Sequence, residues 1–169
     1  MILRPMKGEQ ATDFSIIRFP CLGFPKVDGF RCILGKEALT SRLKTFPNTA
    51  FMKMSRGLLP KDAILDGEIT VGPPNAKGVL GKTSSGLTTQ TGKPDWFLWV
   101  FDCYDPFIPY SSRLIHAGIL VRRLGHDRIR MLPYRILENL EQLQAFLDEC
   151  LADGYEGIIT RDIEGLYKE

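Results

Sequence analysis

Two stretches of this chain repeat apolar residues at the helical period, while nearly every other apolar run is short and cut by a turn. That alternation narrows the fold more than any other feature. Leu114, Ala117, Leu120, Val121 and Leu124 form one stripe, with Ser111 or Ser112 placed to cap its helix. Leu140, Leu143, Phe146, Leu147 and Leu151 form the other, opened by an Asn139/Gln142 capping box and followed by Gly154 as the residue past its end. A shorter helix is expected after Asn48 as its cap. Residues 21–26, 30–34, 39–42, 63–71, 96–104, 130–137 and 156–161 read as strands. Val27-Asp28-Gly29 makes the turn between the first two, with Gly29 free to take positive φ. Gly72-Pro73-Pro74-Asn75 ends the fourth, and residues 75–95, rich in Gly, Ser, Thr and Lys, read as one long loop. The residues up to about Phe19 read as an irregular lead-in with one short element. The sum is an α+β domain, mostly antiparallel sheet with a few helices packed on it.

The 169 residues suit one domain with a sizeable core. Net charge is +2, so charge alone makes no case for nucleic acid. Arg113, Arg122, Arg123, Arg128 and Arg130 crowd together, and the reading preferred for them is a solvated helix face rather than a phosphate site. Cys21, Cys32, Cys103 and Cys150 form no C-x-x-C pair and the histidines are His116 and His126 alone, which argues against zinc. The N-terminal residues lack the apolar core of a secretory leader, and no apolar run is long enough for a membrane span. The expectation is an intracellular protein with free thiols.

The chemistry concentrates in Lys26-Val27-Asp28-Gly29-Phe30-Arg31. A lysine ends a strand, an acid sits in the turn, and an arginine opens the next strand. A lysine amine is a nucleophile only when neutral, and a neighbouring cation such as Arg31 or a bound metal favours that form. Glu68, in Leu65-Asp66-Gly67-Glu68, is placed to accept hydrogen bonds from a ribose hydroxyl. Phe101, beside Asp102, offers a ring for a purine base. Glu156-Gly157-Ile158-Ile159 offers a carboxylate for a metal and an apolar side chain for the other face of the base.

In this order, K-x-D-G-x-R, S-R, D-G-E, F-D and E-G-I-I resemble the motifs of the covalent nucleotidyltransferases: DNA ligases, RNA ligases and mRNA capping enzymes. The details are most similar to small ATP-dependent DNA ligases of phages and large DNA viruses. Phe19-Pro20-Cys21-Leu22 before Pro25-Lys26 carries that likeness, as does Gly154-Tyr155-Glu156-Gly157 followed by Gly165-Leu166-Tyr167-Lys168. The resemblance implies an ATP-grasp-like ligase adenylylation domain. It makes Lys26 the nucleophile that becomes lysyl-AMP, and Arg31 the contact to the ribose and the nick phosphate. Glu68 would hold the ribose 2′-hydroxyl, and Phe101 and Ile159 would sandwich the adenine. Glu156 would bind the divalent metal, Mg2+ or Mn2+. Asp28 would help set that metal or the nick 3′-hydroxyl, and Ser41 and Arg42 would meet the nick 5′-phosphate. The implied partner is nicked double-stranded DNA, bound by a monomer.

The family also carries a K-x-K lysine pair and a small OB-fold domain further along, and this sequence stops at Glu169 before either. The expectation is an adenylylation domain, residues 1–169, incomplete at its C-terminus and with a sheet edge left open. An RNA ligase of the same superfamily, or a fragment that binds ATP or nicked DNA without catalysis, stays open at this point. One rival falls away. Residues 76–83 (Ala-Lys-Gly-Val-Leu-Gly-Lys-Thr) fit a loose P-loop, but the Pro73-Pro74 before them and the Ser, Gly and Thr residues after them are a poor setting for the strand and helix that such a loop joins. Lys77, Lys82 and Lys93 are expected instead in a loop near the DNA.

Overall fold

The computed structural model describes residue 5 and residues 13–167. Lys168 and most of the lead-in lie outside the described residues. A 3-10 turn, Phe14–Ile16, comes first, followed by strands β1 (Cys21–Pro25), β2 (Phe30–Leu34) and β3 (Ala38–Thr40). Helix α1 (Thr49–Ser55), β4 (Leu65–Val71), α2 (Val79–Thr88) and β5 (Trp96–Cys103) come next. Helix α3 (Tyr110–Leu124), β6 (Ile129–Met131), β7 (Arg135–Leu137), α4 (Leu140–Ala152) and β8 (Ile158–Asp162) complete the described chain. They build a five-stranded sheet in the order β3-β2-β4-β5-β6 and a three-stranded sheet in the order β7-β1-β8. Every pairing is antiparallel except β5 with β6. The α+β, mostly antiparallel architecture expected from the sequence is the one observed.

Side-chain alternation divides the five-stranded sheet into two unlike faces. Cys32, Leu34, Leu65, Ile69, Leu98 and Val100 face one way and join Phe51 of α1, Leu87 of α2 and Ala117 of α3 in the largest core cluster. The opposite face carries Arg31, Asp66, Glu68, Trp99 and Asp102, far too polar for a core, and the three-stranded sheet lies over it. Leu22 and Phe24 of β1 reach across to Phe101, Tyr110 and Leu114. The far side of β1 packs with Leu137 against Leu143, Phe146 and Cys150 of α4. A cleft between two sheets follows directly from β1 and β2 being joined by a short turn yet belonging to different sheets.

Three local expectations need correction. Residues 130–137 are not one strand: Pro133 lies between β6 and β7, and the two halves join different sheets. Residues 75–95 are not one loop, since α2 occupies ten of them, opened by Gly78 in the left-handed region at φ 71°. That helix does not restore the P-loop. Lys82 and Thr83 lie inside it, and the buried Thr83 hydroxyl accepts a hydrogen bond from Val71 N–H at 2.9 Å, docking the helix on β4. Finally, α3 starts after Pro109 with no side-chain cap. Its N-terminal amides are satisfied from a distance: Tyr110 N–H donates to Gly165 O at 3.0 Å and Ser111 N–H to Ile163 O at 2.9 Å. Asn48 and Asn139 do cap α1 and α4, accepting from Phe51 N–H and Gln142 N–H.

The arginine cluster divides as well. Arg122 and Arg123 are exposed, but Arg113 is 1% exposed and forms a two-pronged ion pair with fully buried Asp102, at 2.8 and 3.2 Å. Its remaining Nη1 donates to Ile108 O and Gly165 O. Breaking a buried pair from one side strands the other charge. Asp102→Ala is expected to lower stability by about 3–5 kcal/mol in urea denaturation. Glu149→Ala, which breaks the exposed Arg135–Glu149 pair, is expected to leave the unfolding midpoint unchanged.

Candidate nucleotide site

Lys26 follows the last residue of β1, and its position is set by backbone, not by its own side chain. The β1–β8 ladder runs from Cys21–Asp162 to Pro25–Ile158. It continues past both strands: Lys26 N–H donates to Gly157 O at 2.9 Å, and Glu156 N–H donates to Lys26 O at 3.2 Å. Residues 130 apart in sequence are thereby held side by side, and their half-exposed side chains form an ion pair, Lys26 Nζ to Glu156 Oε2. Gly157 allows this geometry through a φ of 150° that a side chain would resist. Asp28 stands in the same group. Burial pushes its carboxyl up, the Glu156 charge adds to the rise, and Lys26 opposes it.

Gly29 has a different role from the one expected. It does not adopt positive φ. A Cβ there would collide with the Ile69 carbonyl oxygen, so glycine is needed for the turn to lie against β4. Gly67 is constrained in the same way, with a Cβ falling 2.6 Å from Trp99 O.

The register of β2 on β4 sets Arg31 opposite Glu68. Arg31 Nε and Nη2 grip the two oxygens of Asp66, each at 2.5 Å, and its guanidinium carbon stands 4.9 Å from the centre of the Phe101 ring. Glu68 is half-buried and accepts from Gly29 N–H. Desolvation pushes its carboxyl up to about 8, against the pull of Arg31 and with a further push from Asp66. Phe101 occupies a bulge: Gly67 pairs with Val100 and Asp66 with Asp102, leaving Phe101 as the extra residue. Its ring is 8% exposed and also has the Arg161 guanidinium 5.7 Å away. Two guanidinium groups thus stand close to the one ring. Ile159 pairs with Phe24 and so faces the cleft from the opposite sheet, 37% exposed.

The structure thus gathers Lys26, Asp28 and Glu156 at one rim of the cleft, with Arg31, Glu68 and Phe101 on one wall and Ile159 on the other. Ser41 and Arg42 stand apart, exposed on the turn after the edge strand β3, at the end of the β2–β3 ladder where Arg31 lies. Asp66, Arg161 and Tyr167 had no role in the sequence reading. Asp66 was within reach of it, because two residues along a strand return to the same face and Asp66 precedes Glu68 by two. Tyr167 stood in the Gly165-Leu166-Tyr167-Lys168 run that carries the family likeness, without a role of its own, and Arg161 gave no signal. Among the described residues no group of three or more His, Cys, Asp or Glu side chains gathers as a metal site. Asp28 and Glu156 supply two carboxylates of the oxygen type that a hard divalent cation prefers, and such ions commonly take their other ligands from phosphate and water.

No protein-family model matches this sequence, and no curated protein matches it. Solved structures do. The Chlorella virus DNA ligase-adenylate is 25% identical, with a TM-score of 0.83 over 99% of this chain and 64% of its own. A Lig E DNA ligase is 19% identical, with a TM-score of 0.82 over 100% of this chain and 65% of its own. The ATP-dependent DNA ligase of bacteriophage T7, in complex with ATP, is 16% identical, with a TM-score of 0.67 over 88% of this chain and 58% of its own. The fold is that of ATP-dependent DNA ligases, viral and phage enzymes among them, and the chain spans less than two-thirds of each of these relatives.

The raised Glu68 carboxyl makes a pH prediction. Between about pH 4.5 and 8 the unfolded chain has released a proton that the folded chain keeps, so Glu68 erodes stability as pH rises through that window. Glu68→Gln removes the titration. Its melting temperature should match the parent near pH 4.5 and exceed it by a few degrees above pH 8. Parallel thermal melts across that range check it, and a constant difference at every pH would contradict the burial of a carboxylate here.

Proposed function

We propose that this chain is the adenylylating, nucleotidyltransferase part of an ATP-dependent DNA ligase. The observation that carries the reading is the backbone pairing that sets Lys26 against Glu156 at the mouth of a cleft whose wall presents Arg31, Glu68 and Phe101. The shared fold supports it, as does the motif order along the sequence.

In this reading the neutral Lys26 Nζ attacks the α-phosphorus of ATP. An N–P bond forms, the bond to the pyrophosphate oxygen breaks, and the amine proton is lost to a nearby base or solvent. Lys26 Nζ is paired with Glu156 in this structure, and in this reading that contact opens before attack. Asp28 and Glu156 would hold a Mg2+ or Mn2+ ion, whose charge favours the neutral amine and neutralises phosphate oxygens. Arg31 binds phosphate and ribose oxygens, with its plane set by Asp66. Glu68 accepts from the ribose 2′-hydroxyl, and Phe101 and Ile159 hold the adenine between the two sheets. AMP then passes to the 5′-phosphate of a nick, near Ser41 and Arg42, and the 3′-hydroxyl displaces it. The catalytic contribution throughout is positioning and charge neutralisation. No described helix is long and apolar enough to cross a membrane. With DNA as its substrate, the protein would act inside the cell, as a monomer on nicked duplex DNA.

Intact-mass measurement after incubation with ATP and magnesium tests this. One adenylyl group should appear on the protein, disappear on treatment with pyrophosphate, and be absent in Lys26→Ala. Glu156→Ala should slow its formation by at least about 100-fold. Binding of ATP with no adduct would overturn the covalent mechanism for this chain.

A further inference from the structure

We propose that Tyr167 is a positioning residue of the nucleotide site, whose hydroxyl anchors the carboxylate that orients Arg31. The inference rests on the reading of Arg31 as a nucleotide contact. Asp66 is fully buried. Its Oδ1 accepts from Arg31 Nε, and its Oδ2 accepts both from Arg31 Nη2 and, at 2.8 Å, from the Tyr167 hydroxyl. A carboxylate with two oxygens on one guanidinium can still pivot about its own Cβ–Cγ bond. A third donor, fixed independently, removes that freedom from a carboxylate that is fully buried.

Tyr167 is fixed independently. Its ring meets Tyr104 edge-on at 5.1 Å, and the Arg113 guanidinium lies 5.4 Å from its centre. The segment leading to it is tied to the start of α3 by the Gly165 and Ile163 carbonyls and to the Arg113 side chain through Gly165 O. None of these contacts involves Arg31. Burial and the Asp66 charge push the phenol above its ordinary range, so it remains a donor at every working pH. The chain thus runs from α3 and Arg113 through Tyr167 and Asp66 to the Arg31 guanidinium over Phe101. It links the segment after β8 to the nucleotide wall.

Tyr167→Phe removes the hydroxyl and keeps the ring. Calorimetric titration with ATP, alongside initial rates of adduct formation, should show affinity weakened about tenfold, a maximal rate within about twofold, and a melting temperature within a few degrees. In an Arg31→Lys background, where the fork on Asp66 is already lost, Tyr167→Phe should have no further effect on ATP affinity. An unchanged affinity in the single variant, or equal losses in both backgrounds, would overturn the positioning role. A parent chain that binds no ATP would overturn the functional reading itself and this inference with it. A parent that binds ATP, beside a Tyr167→Phe variant that binds it equally well, would overturn this inference alone.

Discussion

The structure depends on the pairing of β1 with β8. Five residues of regular ladder align Cys21–Pro25 with Ile158–Asp162, and two further backbone hydrogen bonds carry the alignment to Lys26 and Glu156. Contacts between residues so far apart in sequence close large loops and carry the entropic cost of that closure. Everything between them, the five-stranded sheet and α1 to α4, serves in this sense as the spacer that brings one lysine to one glutamate. The side chains then have little left to decide. Their Cα positions are set by main-chain hydrogen bonds and by the φ that Gly157 adopts, not by the side chains of Lys26 and Glu156 themselves.

Beneath that rim, the wall of the cleft solves a second problem. A sheet face covered by another sheet is ordinarily apolar, yet this one carries Arg31, Asp66, Glu68 and Asp102. Burying charge is tolerable only in pairs with good geometry. Arg31 takes Asp66, and Arg113, from the helix at the edge of the cleft, takes Asp102. Glu68 is the partial exception. It accepts from one backbone donor beside a neighbouring guanidinium, and burial pushes its carboxyl up. In the proposed reading, the ribose hydroxyl of a bound nucleotide would donate to this acid.

Much of this was legible beforehand because it is local. The two long helices and two asparagine caps are written in a few consecutive residues and appeared where expected, although Leu140 and Leu151 of the second stripe are half exposed and Cys150 is buried in their place. Gly29 was expected to supply a positive φ, and Gly157 carried no expectation of its own beyond its place in the motif. One turned out to be required by a neighbouring carbonyl and the other by its φ. Helix α2 was missed because Gly, Ser and Thr are weak helix formers. It persists because Val79, Thr83 and Leu87 are buried on one side, so packing outweighs propensity. The single strand expected at residues 130–137 failed for a similar reason: local β-propensity says nothing about which sheet each half will join.

By itself, the sequence determined which chemical groups exist and which strand face each occupies: a lysine before an acidic turn, an arginine two residues beyond that turn's acid and glycine, and two acids, Asp66 and Glu68, two residues apart in β4. Period and spacing are properties of the covalent chain and survive whatever the rest of the protein does. Only the tertiary structure decided that Lys26 meets Glu156, that Phe101 sits on a bulge with two guanidinium groups near it, and that Arg113 is buried while Arg122 and Arg123 face solvent. Those outcomes are set by long-range pairing and by the need to neutralise charge wherever water is excluded, and neither condition can be evaluated until the two sheets have come together.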